Sequence, residues 1–227
     1  MFSFYNHTSS CFFILTLSVA SSRYAIVERA FTNFYNQHEH YELQNLSISE
    51  FNAEDVLYQV YDGRFTLGVI LISSDEKAHW KHKAGLYNLT WETLSIQPSY
   101  IQVGMQHPLA QKQSVCIEEL KYYPHATMAA SDVSSILSCS DIRGYDEKRA
   151  KKRILVNDKS MMYEILTHTN AFYIGVNLEA LAPKNGQICY LPIEDTDVTI
   201  EIALLHLETH KLTKTEQSFI EELKKLL

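Results

Sequence analysis

Three short, continuous apolar runs constrain the fold of this chain more than any other feature. They are Cys11–Ala20 (CFFILTLSVA), Thr66–Ile72 (TLGVILI) and Ala171–Val176 (AFYIGV). Each has the length of a strand, and a strand that is buried on both faces of a parallel sheet is apolar throughout. Between the first two runs lie a helical pattern, a further predicted strand at Tyr41–Leu46 and a second helix. This β-α-β-α-β order predicts a mainly parallel sheet with right-handed crossovers and helices on both faces.

Local capping signals place the helices that follow these strands. Ser21 and Ser22 come directly after the first run and predict the N-terminus of the first helix. Asn52–Asp55 predicts the start of the second helix, and Gly63 predicts its end. Thr213–Glu216 is a capping box before a terminal amphipathic helix. The chain therefore divides into two consecutive α/β units, and a closing strand and helix return to the first.

The opening apolar run has a second interpretation, as a secretory signal. Ser18–Ala20 resembles a signal-peptidase site, which would fit export. Met1–Ser10 contains no lysine or arginine, however, and the run is too short to span a bilayer. We therefore favour a buried strand in a cytoplasmic protein with no membrane association. Four widely spaced cysteines without a C-x-x-C pair suit reduced thiols in that compartment.

Charge and motif content argue against unaided DNA binding and against catalysis. The net charge is −7, and the basic cluster at Lys148–Arg153 has no interleaved aromatics, so we interpret it as a solvated surface. The seven glycines form no nucleophile elbow, dinucleotide fingerprint or P-loop. Histidine pairs such as His79 and His82 do not have zinc-site spacing, and the isolated Cys116 and Cys139 are typical of buried small hydrophobes. We expect no enzyme activity, no metal and no cofactor.

Several motifs, in order along residues 12–227, resemble the effector-binding region of LysR-type transcriptional regulators. The first half contains the helix–glycine–strand stretch Val56–Ile72, the turn His107–Ala110 (HPLA), and Ser114–Leu120 with Tyr123 and Pro124. Glu119 stands where aspartate is commoner in the family. The second half contains Val156–Asp158, Phe172–Val176, Leu191–Ile193 and the closing helix Leu212–Leu227. Their ordered spacing is the specific part of the resemblance.

The resemblance implies an α/β fold of the periplasmic-binding-protein-like type II, with two Rossmann-like lobes joined by two crossing strands. Residues 1–11 would be an N-terminal remnant or linker, 12–98 with 195–227 lobe I, and 99–194 lobe II. A small polar or anionic metabolite would bind between the lobes, where strand ends and helix N-termini meet. The family also implies a homodimer or higher homo-oligomer in which lobe I of one chain packs against lobe II of the next. The expected contacts are the first helix (Tyr24, Val27, Phe31) and a strand or helix of lobe II.

The beginning of the chain departs from the full-length regulators. Those regulators start with a winged helix-turn-helix and a linker helix, for which residues 1–11 are too few. We therefore expect DNA binding only through a helix-turn-helix domain that this chain lacks. The alternative function is an extracytoplasmic solute-binding protein of a transport system. An enzyme on the same fold is a further alternative, but the sequence offers no candidate acid or base.

Candidate effector contacts are taken from the turns that follow strands in both lobes. The predicted contacts are Ser21, Ser22, Ser47, Ser49, Ala130, Ser131, Ser160 and Tyr173. The serines of lobe I follow its first and second predicted strands, and Ala130 and Ser131 follow a strand of lobe II. Each has an ordinary structural alternative, because serines cap helices or face solvent in loops and a strand tyrosine packs in a core.

Overall fold

Two five-stranded sheets, each with helices packed against it, make up the described part of the molecule. The computed structural model describes residues 14–22, 24–128, 152–178 and 186–227. The strands of the first sheet are β1 (Leu15–Ser22), β2 (Gln44–Phe51), β3 (Leu67–Ser73), β4 (Glu92–Pro98) and β10 (Thr199–Leu205). Their order is β2-β1-β3-β10-β4, with β1 parallel to both neighbours and β10 antiparallel to β3 and β4.

The second sheet repeats this mixed arrangement. Its strands are β5 (Tyr100–Gly104), β6 (His125–Met128), β7 (Arg153–Val156), β8 (Phe172–Gly175) and β9 (Ile188–Pro192). The order is β7-β6-β8-β5-β9, in which β6 is parallel to β7 and β8 and β5 is antiparallel to β8 and β9. The predicted α/β class with two sheets is therefore confirmed.

Helices cover both faces of the first sheet. The six helices in the described ranges are α1 (Ala25–His38), α2 (Ala53–Tyr61), α3 (Lys77–Leu86), α4 (Ile117–Leu120), α5 (Lys159–His168) and α6 (Lys214–Leu226). Val69 of β3 is buried in the core beneath α1 and α6, whereas its neighbour Ile70 is buried in the core beneath α2 and α3. Burial on both faces explains why β3 is a continuous apolar run. In these ranges, no helix is long and apolar enough to cross a membrane.

The two connections between the sheets lie side by side. The first crosses at Ser99, the single residue between β4 and β5, and the second follows β9 and leads into β10. Ser99 is buried, and its Oγ donates a 2.8 Å hydrogen bond to the carbonyl oxygen of Val198 in the second connection. This arrangement matches the predicted pair of crossings. The division into lobes at 98/99 and 194/195 stays a prediction.

The opening apolar run is an interior strand in its described part. β1 lies between β2 and β3, and Leu15, Leu17 and Val19 are buried in the core. Cleavage after Ala20 would remove most of this strand, so the signal-peptide interpretation conflicts with the fold.

Two local predictions near the carboxyl ends of these strands are wrong. Ser21 and Ser22 do not cap the first helix, because β1 continues through Ser22 and the N-cap of α1 is Tyr24. Ser47 and Ser49 do not follow the second strand but lie within it, because β2 extends to Phe51 and alternates between its two faces. The polar residues that resemble a turn therefore belong to an edge strand, on which Ser47 is exposed and Ser49 is half-buried.

The proposed dimer contacts on the first helix are also wrong in part. Tyr24 and Val27 are buried in the core of the first sheet, so their side chains are not available to a second copy. Phe31 is half-buried and packs edge-on against Phe219 of α6, with 6.5 Å between ring centroids. The apolar spacing of α1 therefore serves the packing of α1 on α6.

Candidate ligand pocket

A cavity of about 270 Å³ lies against the second sheet and reaches the start of α1. Ala25, the first residue of α1, lines it from the side of the first sheet. The second sheet and the segments around it supply the other lining residues. The apolar ones among them are Met128, Met162, Leu166, Leu178 and Ile188.

Three side chains from adjacent strands form a row on the cavity wall. Gln102 of β5 is the register partner of Tyr173 on β8 and of Tyr190 on β9, and all three line the cavity. The Gln102 amide donates to the carbonyl oxygen of Val176 at 3.1 Å, which fixes its orientation. A Cβ on Gly175 would lie 3.0 Å from the Tyr173 ring and 3.2 Å from the Gln102 amide nitrogen. Glycine at this position therefore leaves room for the row.

One face of α5 supplies another wall of the cavity. Lys159, Met162, Tyr163 and Leu166 line it, and this i, i+3, i+4, i+7 spacing is one helical stripe. The helix begins at the cap residue Asp158, whose side chain accepts from the Met161 N–H at 2.8 Å. This cap fixes where the stripe begins.

Lys159 joins this wall to the first sheet. Its ammonium forms ion pairs with Glu28 on α1 and Glu50 on β2. The carboxyls of Glu28 and Glu50 also hydrogen-bond each other. This hydrogen bond and the Lys159 ammonium lower the pKa of Glu28. Burial and the bond to Glu28 raise the pKa of Glu50. The three side chains, which we call the Lys159 cluster, are a polar contact between elements of the two sheets beside the cavity.

No protein-family model matches this sequence, and a comparison with curated proteins found no match. Solved structures do match. The effector-binding domain of QuiR in complex with shikimate aligns with a TM-score of 0.61 at 14% identity, over 94% of this chain and 96% of that chain. The effector-binding domain of a BenM variant gives a TM-score of 0.65 at 12% identity, over 93% and 94%. HinK, a LysR family regulator from Pseudomonas aeruginosa, gives 0.63 at 13% identity, over 92% and 70%.

The chain has the LysR effector-binding fold. This is the periplasmic-binding-protein-like type II architecture that the sequence resemblance implied, and it is confirmed over more than nine-tenths of the chain. These structural neighbours are regulatory domains of transcription factors.

Within this LysR-type fold, one of the predicted effector contacts lines the cavity, and the other described ones are not among its lining residues. Tyr173 lines it. Ser21 and Ser22 already have backbone partners: the Ser21 hydroxyl donates to Ser22 O at 2.6 Å, and the Ser22 hydroxyl accepts from Leu71 N–H at 3.3 Å. Ser160 is exposed beside Lys159 at the start of α5. Contact between these serines and an effector stays a prediction.

Ser47 and Ser49, also predicted contacts, are not among the residues that line the cavity. Ser47 is exposed on β2, and Ser49 is half-buried on the same strand. Ala130 and Ser131 lie outside the described residues. The same holds for most of the basic cluster at Lys148–Arg153.

The lining residues that the sequence did not predict differ in whether they carry a sequence signal. The α5 stripe carries Met162 and Leu166 at helical spacing, but that spacing is equally typical of a core face. Lys159 carries no local signal at all, because its two partners are more than a hundred residues away in sequence. Gln102 and Tyr190 are linked only through strand register.

Two buried hydroxyls near the carboxyl ends of β1 and β3 have no hydrogen-bond partner in the described part of the chain. They belong to Tyr24 and Ser73. Burial raises the pKa of the Tyr24 hydroxyl, so the phenol is neutral. An unsatisfied buried polar group costs free energy. These two hydroxyls can therefore form further hydrogen bonds near the carboxyl ends of β1 and β3.

The histidines of the second sheet have structural roles. His107 in the HPLA turn accepts from the Leu109 N–H at 3.0 Å through Nδ1, which leaves Nε2 to donate to the Asn170 carbonyl at 3.2 Å. Its burial lowers the pKa, so the ring is neutral. Across residues 14–22, 24–128, 152–178 and 186–227, no group of three or more metal-ligating side chains comes together.

Proposed function

We propose that this chain is the small-molecule-sensing module of a LysR-type transcriptional regulator and that its effector binds in the cavity beside α5. The observation that carries this proposal is the position of Lys159, which lines the cavity and also binds the carboxylates of Glu28 on α1 and Glu50 on β2. An occupant of the cavity therefore lies against a contact between elements of both sheets. Differential affinity for two arrangements of that contact is what an allosteric sensor requires.

The structural neighbours support a ligand of modest size. QuiR was solved with shikimate, and the BenM domain was solved with benzoate. Both ligands are single-ring molecules. A cavity of about 270 Å³ suits a molecule of that scale, since an engineered cavity of about 150 Å³ accommodates benzene.

We further propose the assembly that such a sensor needs. Residues 12–98 with 195–227 act as lobe I and 99–194 as lobe II, and the sensor works as a homodimer or higher homo-oligomer. DNA is contacted only through a helix-turn-helix domain and not by the sensing module itself, and the protein acts in the cytoplasm without catalysis or a cofactor. Sedimentation of the purified chain as a monomer at every concentration would contradict the oligomer.

A thermal-shift screen of small metabolites tests the sensing function. A ligand that binds only the native state raises the melting temperature by mass action. Tyr190→Ala removes a lining ring and should abolish the shift given by the best compound. Tyr122→Ala is the matched control, because Tyr122 is exposed and is not one of the lining residues, and it should retain the shift.

A second measurement follows the coupling between the sheets. Small-angle scattering with and without the best compound should show a change in the radius of gyration of the native chain. The Tyr190→Ala variant should show no such change. Ligand-induced stabilisation that survives Tyr190→Ala would place the ligand elsewhere and reject the cavity as the sensing site.

A further inference from the structure

The charges of the side chains that line the cavity indicate which ligand charge it favours. Apolar side chains and three tyrosines dominate it, and the polar contributions of Gln102 and Gln187 are uncharged. Lys159 is the one cationic side chain among the described lining residues. Whether the cavity favours an anion therefore depends on what surrounds the Lys159 ammonium.

That ammonium is already neutralised. It binds Glu28 and Glu50 together, so the Lys159 cluster has a charge of −1 with both carboxyls ionised and 0 with one protonated. All three side chains are partly shielded from water, with 34% of Lys159, 48% of Glu28 and 34% of Glu50 exposed. A ligand carboxylate at Lys159 would have to displace one of these partners and then remain close to it. Repulsion between like charges opposes such a ligand, although water screens part of it because these side chains are a third to a half exposed.

The second natural anion site is also occupied by a protein group. The start of α5 presents backbone N–H groups and the positive end of the helix dipole next to the cavity. The carboxylate of Asp158 already accepts from the Met161 N–H there. Both positive features that the described residues give this wall therefore have a carboxylate of the chain itself beside them.

We infer that the cavity selects an uncharged, largely apolar molecule built on one or two rings, and that the Lys159 cluster excludes the corresponding carboxylate. This inference rests on the proposed sensing function and replaces the polar or anionic effector that the sequence suggested. Glu28 and Glu50 act here as specificity-determining residues, because they withhold Lys159 from an anionic ligand.

Isosteric amide and carboxylate pairs provide the test. Calorimetric titration of the wild-type chain compares benzamide with benzoate, nicotinamide with nicotinate, and indole-3-acetamide with indole-3-acetate. At least one amide should bind at least about tenfold more tightly than its carboxylate, because the carboxylates of the Lys159 cluster repel a ligand anion but not a neutral amide. A carboxylate that binds as tightly as its amide, or more tightly, overturns the inference.

Variants locate the discrimination in the cluster. Glu28→Gln with Glu50→Gln frees Lys159 and should improve carboxylate binding about tenfold, with the amide little changed. Adding Lys159→Gln should remove that gain. Glu118→Gln is the matched control, because Glu118 pairs with Lys121 at an exposed site, and it should preserve the wild-type preference. If circular dichroism shows that the double variant is unfolded, Glu50→Gln alone should still give part of the gain in carboxylate binding. An unchanged preference for the amide in a folded variant rejects the role of the Lys159 cluster.

The outcomes separate this inference from the function on which it rests. A charged metabolite that stabilises the wild-type chain, with no binding of any uncharged ring compound, overturns the inference and leaves the sensing function intact. Failure of every compound in both the screen and the paired titrations counts against both.

Discussion

The hydroxyl of Ser99 and the carbonyl oxygen of Val198 are joined by a 2.8 Å hydrogen bond in the interior of the molecule, and this bond ties the two connections between the sheets to each other. Ser99 is 2% exposed and Val198 is 3% exposed, so water does not replace the bond when it is lost. The bond therefore holds the two connections next to each other between the sheets.

Ser99→Ala should lower the free energy of unfolding by about 1–2 kcal/mol, because it removes a buried hydrogen bond and leaves its acceptor without that donor. Urea denaturation measures the change. Ser160→Ala is the control, since Ser160 is exposed, and it should leave the midpoint unchanged. Equal midpoints for the two variants would show that the Ser99 bond contributes nothing.

Gly104→Ala should destabilise the second sheet strongly. A Cβ at Gly104 would lie 2.3 Å from the carbonyl oxygen of Leu166, so α5 would have to move away from β5. Overpacking of this kind costs about 2–3 kcal/mol. Gly85→Ala should instead stabilise the chain, because no atom lies within 4 Å of the added Cβ and alanine favours the helix by up to about 1 kcal/mol. Chemical denaturation of both variants should move their midpoints in opposite directions.

Tyr24→Phe should stabilise the chain by about 1 kcal/mol. The substitution keeps the ring in the core and removes a buried hydroxyl that has no partner within the described ranges. Tyr122→Phe, at a tyrosine that is 80% exposed, is the control and should have no effect. Differential scanning calorimetry distinguishes the two. A lower melting temperature for Tyr24→Phe would mean that the hydroxyl has a partner in the native protein.

The buried imidazole of His125 predicts a pH dependence of stability. Burial, and then the charge of Arg153, lower the pKa of His125 to about 3 from its ordinary value of 6.5. Because the unfolded chain binds the proton more readily between these values, stability rises with pH across that interval and is lost as the pH falls below 6.5. This single group should remove about 2 kcal/mol of stability between pH 7 and pH 5.

Comparison of two variants isolates that contribution. His125→Phe keeps an aromatic ring against Phe172, on which His125 is stacked with 4.9 Å between centroids, and it should flatten the dependence by about that amount. His82→Gln changes an exposed histidine and should leave the dependence as it is. Denaturation at pH 5, 6 and 7 measures the slopes. Parallel curves for the wild type and His125→Phe would contradict the prediction.

Local chemistry predicted the parts of the fold that depend on neighbouring residues. The Thr213–Glu216 capping box is present, and the Asn52 side chain accepts from the Asp55 N–H at 2.8 Å. Gly63 has a φ of 72°, which suits the residue after a helix. These features require only a few consecutive residues, so the sequence contains all the information that specifies them.

Prediction failed where distant segments decide the outcome. Ser21 and Ser22 have the composition of a cap, but pairing of β1 with β2 and β3 continues the strand through them. The role of Lys159 depends on partners from α1 and β2, and the row of Gln102, Tyr173 and Tyr190 depends on register between three strands. Most of the candidate pocket was therefore not accessible to sequence reasoning, although Tyr173 and the general position at a helix start were.

The location of β10 has a consequence for the order in which the chain can acquire its structure during synthesis. β10 comes from residues 199–205 but lies inside the first sheet, between β3 and β4. While the ribosome is still producing the residues of the second sheet, β3 and β4 have no common neighbour and their facing edges are unpaired. The half of the molecule that emerges first must therefore wait for the half that emerges second, so a nascent chain that stalls before residue 199 exposes an incomplete sheet to aggregation.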